Sequence, residues 1–157
     1  MRIGILSDTH GDLLSAQRAL KAMGNIDLLL HAGDTYRDAK LLEEMIDIDV
    51  IAVKGNIDFH CEAPSETIIT IEGKKIFLTH GHNYNVKFNL NRLYYKALEI
   101  NSNIVIFGHS HMSMHKKENG IDFINPGSIS RPRGGTKQSY AIMNVCRENV
   151  DIQLFNL

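Results

Sequence analysis

Residues 2–12 of the chain read RIGILSDTHGD, an apolar run that is followed at once by Asp8 and His10. A short apolar run of this kind predicts a buried β-strand, here over Arg2–Ser7. The residues after it, Leu13–Met23, have the spacing of an amphipathic helix. Side chains that can bind a metal therefore stand at the carboxyl end of a strand, where the chain turns into a helix.

The same alternation continues through the first half of the chain and predicts the order strand, helix, strand, helix, strand. The three further elements are a strand over Asp27–His31, a helix over Ala39–Ile46 and a strand over Val50–Lys54. This order is typical of parallel strands joined by right-handed helical crossovers. Open α/β sheets bind ligands beyond the carboxyl ends of their strands, so we expect the functional site there.

The second half is richer in strands. The loop Glu72-Gly73-Lys74 predicts a β-hairpin between Thr67–Ile71 and Lys75–Thr79, and Asn119-Gly120 is a second hairpin turn signal. A helix is predicted over about Val86–Glu99, and the other predicted strands are Ile104–Phe107, Met112–Lys116, Ile121–Ile124, Ser139–Val145 and Val150–Phe155. No linker or repeat interrupts the chain. We therefore expect residues 1–157 to form one compact α/β domain, a sheet sandwich flanked by helices.

Composition narrows the classes of function. Seventeen Lys and Arg residues against eighteen Asp and Glu leave a net charge of −1, which disfavours nucleic acid as a partner held by its phosphate backbone. The cysteines, Cys61 and Cys146, form no C-x-x-C pair, and no apolar run approaches the ~20 residues of a membrane helix. We expect a cytoplasmic protein without a membrane span. The unusual feature is the presence of eight histidines and no tryptophan.

Five segments that follow apolar strands carry side chains able to bind a metal. They are Asp8-Thr9-His10, Gly33-Asp34, Gly55-Asn56, Thr79-His80-Gly81-His82 and Gly108-His109-Ser110-His111. Each alone is more often a turn or a helix cap. Together they supply carboxylates, an amide and imidazoles, a mixture that suits Mn, Fe, Ni or Zn rather than Ca or Mg.

These five segments, in this order, resemble the pattern D-x-H, G-D, G-N, H, G-H-x-H of the calcineurin-like metallophosphoesterase superfamily. The match spans Asp8 to His111. The compact length, the Thr79–His82 segment and the Asn125-Pro126-Gly127-Ser128 stretch resemble the small prokaryotic phosphodiesterase branch. The resemblance implies a four-layer α/β/β/α sandwich, in agreement with the alternation of elements.

The resemblance also implies a centre of two divalent transition-metal ions, for which we favour Mn over Ni, Fe or Zn. One ion would be held by Asp8, His10 and His111, and the other by Asn56, His80 and His109, with Asp34 bridging them. Such a centre would attack a small phosphodiester substrate with a metal-bound hydroxide. Phosphomonoesterase and nuclease activities stay open as alternatives, as does a protein-binding scaffold that keeps the fold, and a homo-oligomer is possible.

The chain departs from the superfamily pattern at Ile57, where many members have a histidine that donates a proton to the leaving group. Three replacements stay open for that proton: Asp58, His82 or a metal-linked water. Alternatively, the enzyme favours diesters whose leaving group needs little help. His82 could also orient a ligand through a hydrogen bond instead of touching substrate.

Other polar residues have more ordinary interpretations. Arg131 and Arg133 lie in a loop and either contact phosphate or are solvated. His31 is expected to be a hydrogen-bonded residue of a turn. His60 and His115 are expected on the surface, and Met112 and Met114 on a buried strand face.

Overall fold

Two five-stranded sheets lie face to face in the computed structural model, which describes residues 1–157. The strands are β1 (Arg2–Leu6), β2 (Leu28–His31), β3 (Asp49–Ala52), β4 (Glu66–Ile71), β5 (Lys74–Thr79), β6 (Ile104–Ile106), β7 (Met114–Glu118), β8 (Ile121–Asn125), β9 (Ser139–Val145) and β10 (Val150–Asn156). The α-helices are α1 (Leu13–Met23), α2 (Tyr36–Met45) and α3 (Asn91–Glu99), and a 3₁₀ helix covers His82–Tyr84.

The strand order of the first sheet is β10-β9-β1-β2-β3, and that of the second sheet is β4-β5-β6-β8-β7. In the first sheet β1, β2 and β3 are parallel, as the alternation of strands and helices predicted. In the second sheet β5, β6 and β8 are parallel. Both predicted hairpins, β4–β5 and β7–β8, are antiparallel pairs. The parallel strands of each sheet therefore present their carboxyl ends at one edge.

Three apolar clusters define four layers. The central cluster, which includes Ile3 and Leu30 of the first sheet and Ile76 and Ile106 of the second, fills the space between the sheets. The second cluster joins α1 and α2 to the outer face of the first sheet, and the third joins α3 to the outer face of the second sheet. This arrangement is the α/β/β/α sandwich that the sequence predicted.

Helix α1 begins and ends where it was predicted. The Asp12 carboxylate accepts the Ser15 N–H at 3.0 Å and caps its first turn. Helix α3 begins at Asn91 instead of Val86, and this boundary was wrong. Residues 85–88 form a turn instead, which is closed by the Phe88 N–H donating to the Asn85 carbonyl at 3.0 Å, and Val86 is buried against Gly81.

The strand predicted over Met112–Lys116 begins at Met114, because the residues before it belong to a loop. The buried face predicted for the two methionines was therefore wrong for Met112, which is 42% exposed. Met114 is half-buried and packs beside the α3 cluster. None of the three α-helices has the length and apolar character needed to span a lipid bilayer.

Candidate metal centre

The seven predicted metal ligands follow the carboxyl ends of five strands. Asp8 and His10 follow β1, Asp34 follows β2, Asn56 follows β3, His80 follows β5, and His109 and His111 follow β6. Three of these strands belong to the first sheet and two to the second. Because the parallel strands end on the same side, the sandwich brings these polar segments together at one edge.

The first group of donor atoms, which we call the first triad, consists of Asp8, His10 and His111. One donor atom from each lies within 4.8 Å of the others. His111 Nε2 is 3.1 Å from Asp8 Oδ1 and 3.3 Å from His10 Nε2. The structure therefore brings together the three side chains that the resemblance assigns to one metal.

The second triad consists of Asp34, His80 and His109, whose donor atoms also lie within 4.8 Å of one another. His80 Nε2 is 3.3 Å from Asp34 Oδ2. The amide oxygen of Asn56 is 3.2 Å from the same nitrogen, so the fourth predicted donor is also in place.

The hydrogen-bond network directs one ring nitrogen of His111 into the first triad and one of His80 into the second. His111 donates Nδ1–H to the Arg131 carbonyl at 2.6 Å, and His80 donates Nδ1–H to the Ala32 carbonyl at 2.8 Å. Their Nε2 atoms then carry lone pairs when the rings are neutral. Buried Asp8 Oδ1 receives no hydrogen bond although His111 Nε2 is close to it. Acceptors that converge in this way fit a bound cation, which would satisfy all of them at once.

The pKa values of the second triad reflect the same crowding of acceptors. Burial alone would lower the pKa of His80, but the hydrogen bond to Asp34 and the charges of Asp8 and Asp34 raise it above its ordinary value. Burial would likewise raise the pKa of Asp34, but the hydrogen bond and charge of His80 hold it below its ordinary value. Burial, reinforced by His80, lowers the pKa of His109 to about 4. The carboxylates of Asp8 and Asp34 thus attract positive charge to the second triad. His109 stays neutral there, which is the form in which imidazole binds metals.

Five of the predicted ligands have left-handed backbones. Their φ angles are 56° at Asp8, 45° at His10, 44° at Asp34, 65° at His109 and 61° at His111. Non-glycine residues adopt this conformation only at a cost in energy, so the surrounding contacts must hold it. A concentration of such residues at one edge is typical of a functional site.

The Asn125–Ser128 stretch supplies some of these contacts. Ser128 and Ser130 both donate their hydroxyls to the Asp8 carbonyl at 2.8 Å. Asn125 donates to the Gly108 carbonyl at 2.8 Å and to Ser110 Oγ at 3.0 Å. The segment therefore fixes the loops on which Asp8 and the two histidines after β6 stand.

A buried chain of hydrogen bonds that sequence reasoning missed holds the loop of His10. The Asp38 carboxylate, on α2, accepts the Thr9 hydroxyl at 2.6 Å and the Gly11 N–H at 2.7 Å. His31 Nδ1 accepts the Gly33 N–H, so its Nε2–H is free to donate to Thr9 Oγ1 at 3.3 Å. Asp38 lies on a helix where an acidic residue is normally exposed, so no sequence signal identified it. Full burial lowers the pKa of His31 to about 4.

Close approach of the backbone explains two glycines. A side chain at Gly55 would overlap the Asp34 carboxylate. Gly33 has φ 95°, and a Cβ there would lie 2.9 Å from the His80 ring. Both positions lie under the second triad and leave no room for a larger residue.

Asp58, proposed as a proton donor, has both carboxylate oxygens occupied by the backbone. Its Oδ1 accepts the Tyr36 N–H at 2.8 Å, and its Oδ2 accepts the Gly55 N–H at 2.7 Å. These bonds tie the loop after Asn56 to the start of α2. Both carboxylate oxygens are thus bonded to the backbone, which suits a residue that positions the loop.

His82, the other proposed donor, lies beside the second triad. Its ring centroid is 5.4 Å from that of His80 and 6.1 Å from that of His109. Its Nδ1 is buried and has no hydrogen-bond partner. Burial, followed by the charge of His80, lowers the pKa of His82.

The two arginines differ in their relation to the site. The Arg131 N–H donates to Ser128 Oγ at 2.8 Å, its carbonyl orients His111, and its charge contributes to lowering the pKa of His10, after the larger effect of burial. The Arg133 N–H donates to the His111 carbonyl at 3.1 Å. Its side chain is exposed.

Comparison with known proteins agrees with this geometry. The family model of the calcineurin-like phosphoesterase superfamily domain matches residues 1–148. The chain is 33% identical to the probable metallophosphoesterase YsnB of Bacillus subtilis, over 99% of this chain and 91% of that protein. It is 31% identical to the phosphodiesterase YfcE of Escherichia coli, over 92% of this chain and 88% of that protein.

A solved structure is similar over nearly the whole chain. The crystal structure of a predicted phosphoesterase from Streptococcus pneumoniae superposes with a TM-score of 0.84 at 33% identity, over 99% of this chain and 88% of that one. The order of the five polar segments, their meeting at one edge of the sandwich and the family match all agree. The chain therefore belongs to the calcineurin-like phosphoesterase superfamily.

Proposed function

We propose that the protein hydrolyses small phosphodiesters with two divalent metal ions, one at each triad, with Asp34 as the carboxylate shared between them and Mn²⁺ as the favoured metal. The observation that carries this proposal is the convergence of unpaired acceptors, above all Asp8 Oδ1 facing His111 Nε2 at 3.1 Å. When bound, two such ions would supply a nucleophile at neutral pH and offset charge on the phosphoryl oxygens.

The residues of the chain have separate tasks in this reaction. The Ala32 and Arg131 carbonyls hold His80 and His111 in the tautomer that binds metals. The Arg131 guanidinium, on the side of the first triad, is suited to a non-bridging phosphoryl oxygen. His82, whose ring centroid lies 5.4 Å from that of His80, is suited to contact a substrate oxygen on the side of the second triad.

Diesters with a good leaving group are favoured over other diesters by the loop after Asn56. Ile57 cannot donate a proton, and Asp58 is bound to two backbone N–H groups. With neither residue available as an acid, the reaction is fastest when the leaving group departs as a stable anion. Retention of all seven ligand positions argues against a scaffold that has lost its chemistry.

The test uses metal-free protein loaded in turn with Mn²⁺, Ni²⁺ and Zn²⁺ and assayed on bis(4-nitrophenyl) phosphate and 4-nitrophenyl phosphate. We expect metal-dependent hydrolysis with higher kcat/KM on the diester. Asp34→Asn should lower kcat/KM by roughly 100-fold or more, as expected for a shared metal ligand. Asp49→Asn, an exposed aspartate on β3, is the matched control. Full activity in Asp34→Asn, or a preference for the monoester, would overturn the proposal.

A further inference from the structure

Ser7 is a polar residue at the end of an apolar row. Ile3 and Ile5 of β1 lie in the cluster between the two sheets, and side chains two positions apart on an extended chain point to the same side. Ser7, the next member of this row, is fully buried. Burial of a hydroxyl costs free energy unless the group forms a hydrogen bond. The hydrogen-bond partner of Ser7 therefore shows why a polar residue is tolerated there.

This partner is one oxygen of the Asp8 carboxylate. The Ser7 hydroxyl donates to Asp8 Oδ2 at 2.6 Å, a distance typical of the strong hydrogen bonds between a hydroxyl and an ionised carboxylate. The His109 N–H donates to the same oxygen at 3.1 Å. Asp8 Oδ1 is buried without a hydrogen bond and lies 3.1 Å from His111 Nε2. Hydrogen bonds thus occupy Oδ2 and leave Oδ1 facing the first triad.

Close packing holds Ser7 and Asp8 in this arrangement. A Cβ at Gly108 would overlap the Ser7 hydroxyl and lie 2.7 Å from Asp8 Oδ2, so the Gly108 backbone covers both groups. Gly108 and His109 follow β6 of the second sheet, whereas Ser7 and Asp8 follow β1 of the first. The contacts of Asp8 Oδ2 therefore join the ends of two strands, one from each sheet.

We propose that Ser7 is a positioning residue of the metal centre, which binds Asp8 Oδ2 so that the carboxylate presents Oδ1 alone to the ion of the first triad. This inference rests on the proposed function, in which that triad holds an ion. Without the Ser7 hydroxyl, the carboxylate keeps the His109 N–H and gains freedom to turn about its last torsion. Fixing the carboxylate again on metal binding costs conformational entropy, which lowers the affinity.

The experiment measures Mn²⁺ binding to metal-free wild-type, Ser7→Ala and Ser102→Ala proteins by calorimetric titration. We expect Ser7→Ala to weaken the binding of one of two ions roughly tenfold or more. Ser102→Ala is the matched control, because Ser102 is also buried and its hydroxyl is hydrogen-bonded, at 3.0 Å to the Lys75 carbonyl and at 2.8 Å to the Ile104 carbonyl. Ser102 precedes β6, whereas the ligands follow it. The control should therefore keep wild-type affinities.

The visible spectrum of the Co²⁺-loaded protein separates positioning of a ligand from a general loss of stability. The absorption of bound Co²⁺ depends on the number and arrangement of its ligands. A turned Asp8 carboxylate should therefore alter the spectrum of Ser7→Ala, and the spectrum of Ser102→Ala should match that of the wild type. Wild-type affinities with an unchanged spectrum in Ser7→Ala, or the same changes in Ser102→Ala, would overturn the role of Ser7.

Hydrolysis by the wild-type protein tests the proposed function separately. If the wild-type protein hydrolyses bis(4-nitrophenyl) phosphate and Ser7→Ala binds both metals normally, only the role of Ser7 fails. If the wild-type protein hydrolyses no phosphodiester with Mn²⁺, Ni²⁺ or Zn²⁺, the proposed function fails. The affinities and the cobalt spectra then still decide whether Ser7 positions Asp8.

Discussion

The carboxylate of Asp38 should control metal affinity at the first triad although it binds no metal itself. It accepts two hydrogen bonds, from the Thr9 hydroxyl at 2.6 Å and from the Gly11 N–H at 2.7 Å, on either side of His10. Hydrogen bonds to a buried charged acceptor contribute about 1.5–3 kcal/mol each. They hold His10 in its left-handed conformation, with φ 45°. Asp38→Asn keeps an oxygen acceptor but removes the charge, so we expect it to relax this loop without unfolding the protein.

The expected loss is roughly tenfold or more in the affinity for one of two Mn²⁺ ions, the usual effect of removing a group that orients a metal ligand. Calorimetric titration of metal-free protein measures both affinities. Thr9→Val removes the same link by a different route and should affect the same ion. Asp47→Asn, an exposed aspartate in the loop before β3, is the control. Wild-type affinities in both the Asp38→Asn and Thr9→Val variants would refute the reasoning.

Three further predictions concern acid stability, close packing and leaving groups. The folded-state pKa of His31, about 4, lies below its ordinary value of 6.5, so the unfolded chain binds the proton more readily and stability present above pH 6.5 is lost as pH falls towards 4. Metal-free protein should lose about 3 kcal/mol of unfolding free energy from this group between pH 7 and pH 4. Urea titrations at the two pH values measure this loss, which should be smaller in the His31→Gln variant and unchanged in the control His60→Gln. Gly55→Ala should abolish binding of one ion or destabilise the protein, because the added methyl overlaps Asp34; unchanged calorimetric titration and melting temperature would contradict this. Rates on aryl phosphodiesters should fall steeply as the pKa of the leaving group rises, and a flat dependence would indicate that an acid assists after all.

The layers and the metal-binding segments could be predicted from sequence because both depend on short local patterns. Apolar runs of four to six residues alternate with amphipathic stretches in the first half, and polar side chains follow the strands directly. The predicted start of α3 was wrong because residues 85–88 form a turn, which propensity does not reveal. The prediction for Met112 was wrong because the loop that carries His111 extends past it and β7 begins only at Met114.

The contacts that support the site were beyond sequence reasoning, since they join residues far apart in the chain. Asp38 reaches Thr9 across 29 positions, and Ser128 reaches the Asp8 carbonyl across 120. Asp58 stands next to a ligand loop, and its bonds to the Tyr36 and Gly55 N–H groups could not be inferred from the sequence. Residue type and spacing indicate which side chains can bind a metal, but burial and hydrogen-bond geometry decide which of them hold the others in place.

Each triad draws its side chains from both sheets: Asp8, His10 and Asp34 follow strands of the first, and His80, His109 and His111 follow strands of the second. The facing sides of the sheets meet through apolar packing. Metal ions bound at the triads would link the two sheets. Because they would bind only the folded state, they would stabilise the fold in proportion to RT ln(1 + [metal]/Kd). A shortage of the metal would then shorten the lifetime of the protein and also remove its activity. The supply of metal would set both its abundance and its activity.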